Sequence, residues 1–300
     1  MSILLPVIVY LNGNYLPAAE AHVSVFDRGF LFGDGVYEGV RVFDGAVICP
    51  ERHVNRMAGG LAEGRIHWDP RALPEICLEL CRRNGLPDAF MYVQVTRGTP
   101  PPGEPVRART MKAQGQPTVF AFATAQPPMS HYRQPPTTHL AMVQDRRWDR
   151  GHLKSISLLG NVLAAYEAKG AGAEEVVMVR DGLVTEACAS NIIIAVDGQL
   201  VTPSLDSASI LQGATRARCL ALDPSIVERP VGVDELLRAS EVMLVGTTSI
   251  VTSALTIDGK PVGSGPHAGR VGPQARRLLD LVMDDCRSQV EAAKEALAVG

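Results

Sequence analysis

Lysine is scarce in this 300-residue chain: five residues (112, 154, 169, 260 and 294) stand against 24 arginines. A reaction that needs an amine therefore has few candidates. Paired cysteines are missing too. Cys49, Cys77, Cys81, Cys188, Cys219 and Cys286 form no CxxC, and the seven histidines (22, 53, 67, 131, 139, 152 and 267) show no HExxH or other zinc spacing. Buried free thiols in a reducing, cytoplasmic compartment are expected, and metal catalysis is disfavoured. Charge of one sign is not in excess: 29 basic and 32 acidic side chains leave a net charge of −3. That balance offers no electrostatic footprint for nucleic acid or an anionic membrane. No apolar run reaches the ~18 residues of a membrane span. The apolar opening Met1–Tyr10 is too short, and lacks the basic flank, for a secretory signal.

What is present is a globular composition, 46% apolar over a length that suggests two domains. Five hairpin turns stand out: Asn12–Gly13, Asp44–Gly45, Asp181–Gly182, Asp197–Gly198 and Asp258–Gly259. Each separates apolar, β-branched runs, where positive φ at the turn centre favours Asn/Asp–Gly. Strands are expected over Val7–Leu11, Gly39–Phe43, Phe90–Thr96, Thr118–Ala123, Leu140–Gln144, Glu175–Val179, Asn191–Val196 and Glu241–Val245. Helical spacing links Val54, Met57 and Leu61, and again Leu73, Ile76, Cys77, Leu80 and Cys81 before Gly85. A third helix should run from about Leu158 to Lys169 and stop at Gly170, and Pro273–Leu297 reads as an amphipathic helix covering its own domain.

Hairpins interleaved with helices indicate an α+β fold with mixed, largely antiparallel sheets, without the repeated rhythm of a doubly wound parallel sheet. The Pro-rich stretch 126–136 (QPPMSHYRQPP) is the natural linker. The expected domains are an N-terminal α+β domain, 1–125, and a C-terminal α+β domain, 137–300.

Four of the lysines have ordinary solvated roles. Lys154 lies in HLKSISLLGNVLAAYEA, against an almost uncharged run at the approach to a helix. Desolvation there would disfavour the ammonium and free the amine as nucleophile or base, although a packed stem with a snorkelling head is the ordinary alternative. Glu186, bounded by Ala187, Cys188, Ala189 and Ser190, could face a flat ring at close range or simply be solvated on an edge strand. Ser209–Arg216 (SILQGATR) offers a glycine turn and a helix start suited to phosphate, and Gly246–Ser249 (GTTS) a second hydroxyl-rich turn. Arg56 falls within a helix, where exposure or ion pairing is the default. Together these are the parts that hold an aromatic aldehyde phosphate.

The segments DRGFLFGDGVYEGVRVF, YVQVTRGT, RRWDRGHLKSISLLGNVLA, VTEACASN, ILQGATR and GTTSIVTSALTIDGK are collinear from about Val9 to Val262. They resemble the fold type IV pyridoxal-phosphate enzymes, and are most similar to the D-amino-acid transaminases, next to branched-chain aminotransferases. The resemblance implies that Lys154 is the Schiff-base lysine, which also shuttles the proton at the substrate Cα. It implies that Glu186 keeps the pyridine nitrogen protonated and that Arg56 binds phosphate. Ile210, Gly213, Ala214, Thr215, Thr247 and Thr248 fall where amides and hydroxyls cradle that phosphate, Leu211 where a side chain packs on the ring, and Tyr37 on the active-site tyrosine. The cofactor would be pyridoxal 5′-phosphate, bound in the cleft between the domains of a homodimer.

Two departures bear on substrate. D-amino-acid transaminases carry an Arg and a His in the loop after VTRGT, where this chain has Pro102 and Glu104. Branched-chain enzymes carry Tyr-x-Arg, where this chain reads Tyr92-Val93-Gln94. Arg41 is then the first candidate for substrate carboxylate, with Arg97, Arg107 or Arg109 as alternatives. Pairing of these arginines with Glu38 or Glu104 is an equally ordinary reading. Gly35 and Gly39, flanking Tyr37, would allow close backbone approach or mark a turn or bulge. The function implied is transamination between an amino acid, with D-amino acids such as D-alanine favoured, and a 2-oxo acid. Branched-chain L-amino-acid or (R)-amine transamination, aminodeoxychorismate lyase chemistry and, outside the class, a non-catalytic binding protein are the alternatives.

Overall fold

At all five Asx–Gly turns both central residues take positive φ, from Asn12 (+49°) and Gly13 (+92°) to Asp258 (+49°) and Gly259 (+72°). That geometry matches the twist of the flanking strands, and each turn closes an antiparallel hairpin. The computed structural model describes residues 7–112 and 115–299. Met1–Pro6 of the apolar opening and two residues of the loop after Gly98 lie outside the described residues.

The chain divides into two compact units. One comprises the residues through Met129, Leu153–Ser157 and the chain from Cys286; the other comprises Ser130–His152 and Leu158–Asp285. In the first unit the elements run β1 (Ile8–Leu11), β2 (Asn14–Pro17), α1 (Arg28–Phe32), β3 (Gly35–Phe43), β4 (Ala46–Val47), α2 (Pro50–Gly64), α3 (Leu73–Asn84), β5 (Ala89–Thr96) and β6 (Thr118–Ala125). Its sheet has the order β2-β1-β6-β5-β3-β4, and every pair is antiparallel.

Alternation sends Val36, Val40 and Val42 of β3, Met91, Val93 and Val95 of β5, and Val119, Ala121 and Ala123 of β6 into one core. That core is closed by Met57 and Leu61 of α2 and by Leu73, Ile76, Cys77, Leu80 and Cys81 of α3. The helical stripe read from the spacing in α3 is thus its buried face, and the helix ends where Gly85 takes φ +64°.

In the second unit follow β7 (Thr137–Gln144), α4 (Leu159–Gly170), β8 (Glu175–Arg180), β9 (Leu183–Val184), β10 (Asn191–Val196), β11 (Gln199–Thr202), α5 (Ala214–Leu222), β12 (Val227–Glu228), α6 (Val233–Arg238), β13 (Glu241–Gly246), β14 (Ile250–Ile257) and β15 (Lys260–Pro261). The sheet order is β12-β11-β10-β13-β14-β7-β8-β9, with β15 on β14. Strand β7 runs parallel to both β14 and β8, and β11 runs parallel to β12. Two strand–helix–strand crossovers, β7–α4–β8 and the short β11–α5–β12, sit among antiparallel pairs, so the sheet is mixed. Ala164 and Ala168 let α4 lie close on Ala141, Val176 and Met178. The last helix, α7 (Pro273–Val299), buries Ala275, Leu278, Leu279, Val282, Met283, Cys286 and Val290, as a helix covering its own chain does.

This division departs from the expected domains 1–125 and 137–300 at two places. Leu153–Ser157 belongs with the first unit because its backbone pairs with β3, through Tyr37 N–H to Lys154 O (3.0 Å) and Ile156 N–H to Gly35 O (3.1 Å). The chain from Cys286 belongs there too: Cys49 N–H donates to Gln289 Oε1 (2.8 Å), and Lys294 pairs with Asp44. Among the described residues, no helix is long and apolar enough to cross a membrane, and no three His, Cys, Asp or Glu residues cluster as metal ligands.

The two leucines of α3 that differ most in burial provide a check on this packing. Leu80→Ala, at a fully buried position, should lower unfolding free energy by about 2–5 kcal/mol in urea titrations. Leu78→Ala, at a position 42% exposed, should cost clearly less.

Candidate active site

The lysine segment reaches β3 through two glycines, Gly33 and Gly35. Gly33 takes φ +66°, and its carbonyl accepts from the Ser157 hydroxyl at 3.1 Å. A Cβ at Gly35 would stand 2.6 Å from Val95 O of β5 and 3.0 Å from Ile156 Cδ1, so only glycine fits between that strand and the segment. At Gly39 a Cβ would meet the Phe90 ring at 2.7 Å. Both glycines lie within β3, so close approach, not a turn, accounts for them. The result is a half-buried Lys154 whose Nζ stands 4.3 Å over the centroid of the Tyr37 ring.

The next residue of β3, Glu38, points into the core side and is fully buried. Helix α2 presents His53 and Arg56 to it, one turn apart. Arg56 donates from Nε to Oε1 (2.7 Å) and from Nη2 to Oε2 (2.6 Å), and His53 Nδ1 lies 2.8 Å from Oε2. Burial alone would raise this carboxyl. The charge and hydrogen bonds of Arg56, with His53, outweigh burial and bring it down to about 2. Arg56 therefore realises the ion-paired reading, with a partner that fixes its guanidinium plane.

In the second unit Glu186 follows β9 and is buried. Its Oε1 accepts from Arg147 Nη1 (2.7 Å), and its Oε2 from Asn191 Nδ2 (3.0 Å) and Leu211 N–H (3.2 Å). Arg147 is held in turn by Asp145, Nε to Oδ1 at 3.0 Å and Nη2 to Oδ2 at 2.9 Å, and Thr185 Oγ1 donates to Asp145 at 2.9 Å. Burial opposes ionisation of Asp145, yet Arg147 and Thr185 lower it to about 2. The Arg147 guanidinium, desolvated but flanked by two carboxylates, is shifted up.

Asn191 ties this carboxylate to the glycine turn: it also donates to Leu211 O at 2.9 Å, and a Cβ at Gly213 would fall 1.9 Å from its Oδ1. Ala214 and Thr215 open α5, beside the buried Ile210. The second turn docks on the same segment. Ser190 Oγ and Ser249 Oγ are 2.9 Å apart, and a Cβ at Gly246 would stand 2.8 Å from each. Thr247 is half-buried there and Thr248 is exposed.

Two of the candidate substrate arginines are engaged by groups of the protein itself. Arg41 is buried, its Nη1 donating to Gln126 Oε1 (3.1 Å), its Nη2 to Pro127 O, and its guanidinium lying 4.2 Å over the Phe43 ring. Arg97 grips Asp34 through Nε (2.8 Å) and Nη2 (2.9 Å) and also donates to the carbonyls of Gly64 and Arg65. Among the described residues Arg97 pairs with neither Glu38 nor Glu104. Arg28 shares Asp34 at 2.7 Å, and both guanidinium groups lower that carboxyl against its burial. Glu104 Oε1 accepts from Lys112 N–H at 3.0 Å, a contact within its own loop. Arg107 lies over the Phe32 ring at 5.2 Å. Arg147, Asp145 and Asn191 were not singled out in the sequence. Asp145-x-Arg147 and Glu186-x4-Asn191 are local spacings, but Arg147 and Glu186 lie 39 residues apart.

Comparison with known proteins bears on this arrangement. The family described as Amino-transferase class IV matches residues 35–257. The chain belongs to the class IV aminotransferases. It is 34% identical over 263 residues to the D-alanine aminotransferase of Bacillus licheniformis, covering 86% of this chain and 90% of that protein. It is 33% identical over 287 residues to a putative branched-chain-amino-acid aminotransferase of Methanocaldococcus jannaschii, covering 92% and 95%. Its fold matches that of the branched-chain aminotransferase of Thermoproteus uzoniensis solved with norvaline, with a TM-score of 0.81 at 23% identity over 95% of this chain and 97% of that one.

The chain is therefore a fold type IV aminotransferase with an α+β architecture, and class IV aminotransferases use pyridoxal 5′-phosphate. Its residues fit that cofactor chemically: a half-buried amine, a carboxylate fixed by three donors, and two glycine turns with no room for a Cβ, one opening a helix.

Because the folded-state value of Glu38 lies below its ordinary 4.5, its pairing contributes stability above about pH 4.5 that is lost as pH falls toward about 2. Asp145 acts with the same sign. Thermal melts of the aminotransferase should hold level above about pH 4.5 and fall steeply below it. Glu38→Gln should cost about 3 kcal/mol at neutral pH by leaving Arg56 with half a partner, and should flatten part of the acid slope.

Proposed function

We propose that this aminotransferase moves an amino group between a D-amino acid, such as D-alanine, and a 2-oxo acid. The observation that carries the reading is the placement of Lys154. Its carbonyl accepts from Tyr37 N–H, and its Nζ stands over the ring of that same tyrosine. When bound, pyridoxal phosphate supplies a carbonyl for the incoming amine and an electron sink for charge developing at the substrate Cα. Lys154 Nζ would bond to that carbonyl at rest and, once displaced, take and return the proton at Cα. The Tyr37 face beneath Nζ keeps the amine oriented through a cation–π contact whenever it is charged.

Glu186 would hold a proton on the pyridine nitrogen. Its own orientation is set by Arg147, Asn191 and Leu211 N–H, so it need not reorganise. Arg56, planar against Glu38, with the 210–215 and 247–248 turns, would anchor the phosphate. The D-alanine aminotransferase relative supports D-amino acids as donors. The branched-chain relative supports L-leucine-type donors as the second reading.

We also propose a cytoplasmic homodimer. All six cysteines are free, which suits a reducing compartment. Along α4, Leu159, Val162, Leu163 and Tyr166 recur at one-face spacing and are 70%, 46%, 54% and 67% exposed. A stripe of that kind suits a second copy of the chain.

Single-turnover spectroscopy of the holoenzyme with D-alanine, L-leucine and (R)-1-phenylethylamine tests the donor class. D-alanine should bleach the visible band fastest, and bleaching by L-leucine alone would establish the second reading. Lys154→Ala should bind cofactor without the covalent link and lose about 100-fold to 10,000-fold in the proton-transfer rate. Sedimentation of Leu163→Glu should shift a dimer toward monomer; a wild-type monomer would overturn the assembly.

A further inference from the structure

Gln94 lies directly opposite Tyr37 in the β3–β5 ladder, and Tyr92 directly opposite Gly39. Directly opposed residues share a sheet face, so Gln94 and Tyr92 stand on the face that carries Tyr37. The Tyr92 ring stacks on Tyr37 (5.3 Å between centroids, 27° between planes) and on Phe122 (5.2 Å, 27°). Its hydroxyl donates to Gln94 Oε1 at 2.8 Å. Burial first, and then neighbouring Tyr37, push the Tyr92 phenol up, so it stays a proton donor. With Oε1 engaged, the outward pole of Gln94 is its Nε2 amide, which has no hydrogen-bond partner among the described residues. The surroundings of the Lys154 amine on this face are thus aromatic, with one neutral donor held in place.

Two arginines that could otherwise serve a carboxylate are engaged elsewhere: Arg41 with Gln126 and Pro127, Arg97 with Asp34 and the 64–65 carbonyls. We propose that Gln94, oriented by Tyr92, recognises the α-carboxylate of the amino donor through its neutral Nε2 amide, selecting donors whose own side chain is uncharged. This rests on the transaminase reading. A neutral donor on a carboxylate strengthens binding about 10-fold to 100-fold and leaves the proton-transfer step untouched. A second carboxylate on the donor would face the Tyr37–Tyr92–Phe122 wall without a counter-charge, which disfavours it.

The test uses the purified holoenzyme with whichever of D-alanine and L-leucine the wild type converts, and propanoate as an unreactive carboxylate. Gln94→Glu keeps the shape and replaces the donor by an acceptor; Gln94→Ala removes both. Each should weaken half-saturation by the amino acid and inhibition by propanoate about 10-fold to 100-fold. The saturating single-turnover rate should change less than about 3-fold, with the visible band of the cofactor retained. Gln94→Arg should tighten propanoate. Unchanged constants, or a fall in the saturating rate with constants unchanged, would overturn the assignment. If Gln94→Glu sheds its cofactor, Gln94→Ala carries the same comparison. A wild type that converts amines but neither amino acid overturns the assignment while leaving transamination intact. One that converts no donor at all overturns the transaminase reading itself, and the assignment with it.

Discussion

A pair of backbone hydrogen bonds places the only distinctive amine in this protein. Tyr37 N–H to Lys154 O and Ile156 N–H to Gly35 O turn residues 153–157 into an extra strand-like edge on β3. The approach works because Gly35 leaves no Cβ to crowd Ile156 Cδ1, and because Gly33 can take positive φ beneath Ser157. Once that edge is set, β3 delivers its two faces to different tasks. Tyr37 meets the lysine on one side, while Glu38 enters the core to meet His53 and Arg56 on the other.

The large arginine content is accounted for by the same principle of fixed carboxylates. Glu38 holds Arg56, Asp34 holds Arg28 and Arg97, and Asp145 holds Arg147, which in turn holds Glu186. A guanidinium gripped in its plane by a carboxylate cannot swing, and a buried pair of this kind is costly to break. Such pairs favour rigid positioning. They also explain why arginine-rich loops need not imply arginine-based substrate recognition.

Much of the fold was legible because it is written in short-range terms. Asx–Gly turns specify their own φ values, and the stripe in α3 specifies its buried face without reference to the rest of the chain. Lys154, Glu186 and the two turns stood out by residue type and local environment. The chain division at Leu153–Ser157 and the pairing of Arg147 with Glu186 did not, because backbone pairing across about 120 residues and ion pairing across 39 leave no local periodicity. The contacts of Arg41 with Gln126 and Pro127 give no sign in GVRVF for the same reason.

What the amino-acid sequence determined by itself was a set of parts: one amine against an apolar run, a carboxylate among small residues, two glycine turns, and a hairpin-rich α+β chain with its family. Each depends on local conformational preference or on a motif. Which charge neutralises which was decided only by the tertiary structure. Ion pairs form by proximity in space, and β3, α2 and β5 create that proximity by lateral packing. Whether an arginine is a structural ligand or an open cation is a question of neighbours. In this protein the neighbours left a glutamine, not an arginine, opposite the tyrosine beneath the lysine.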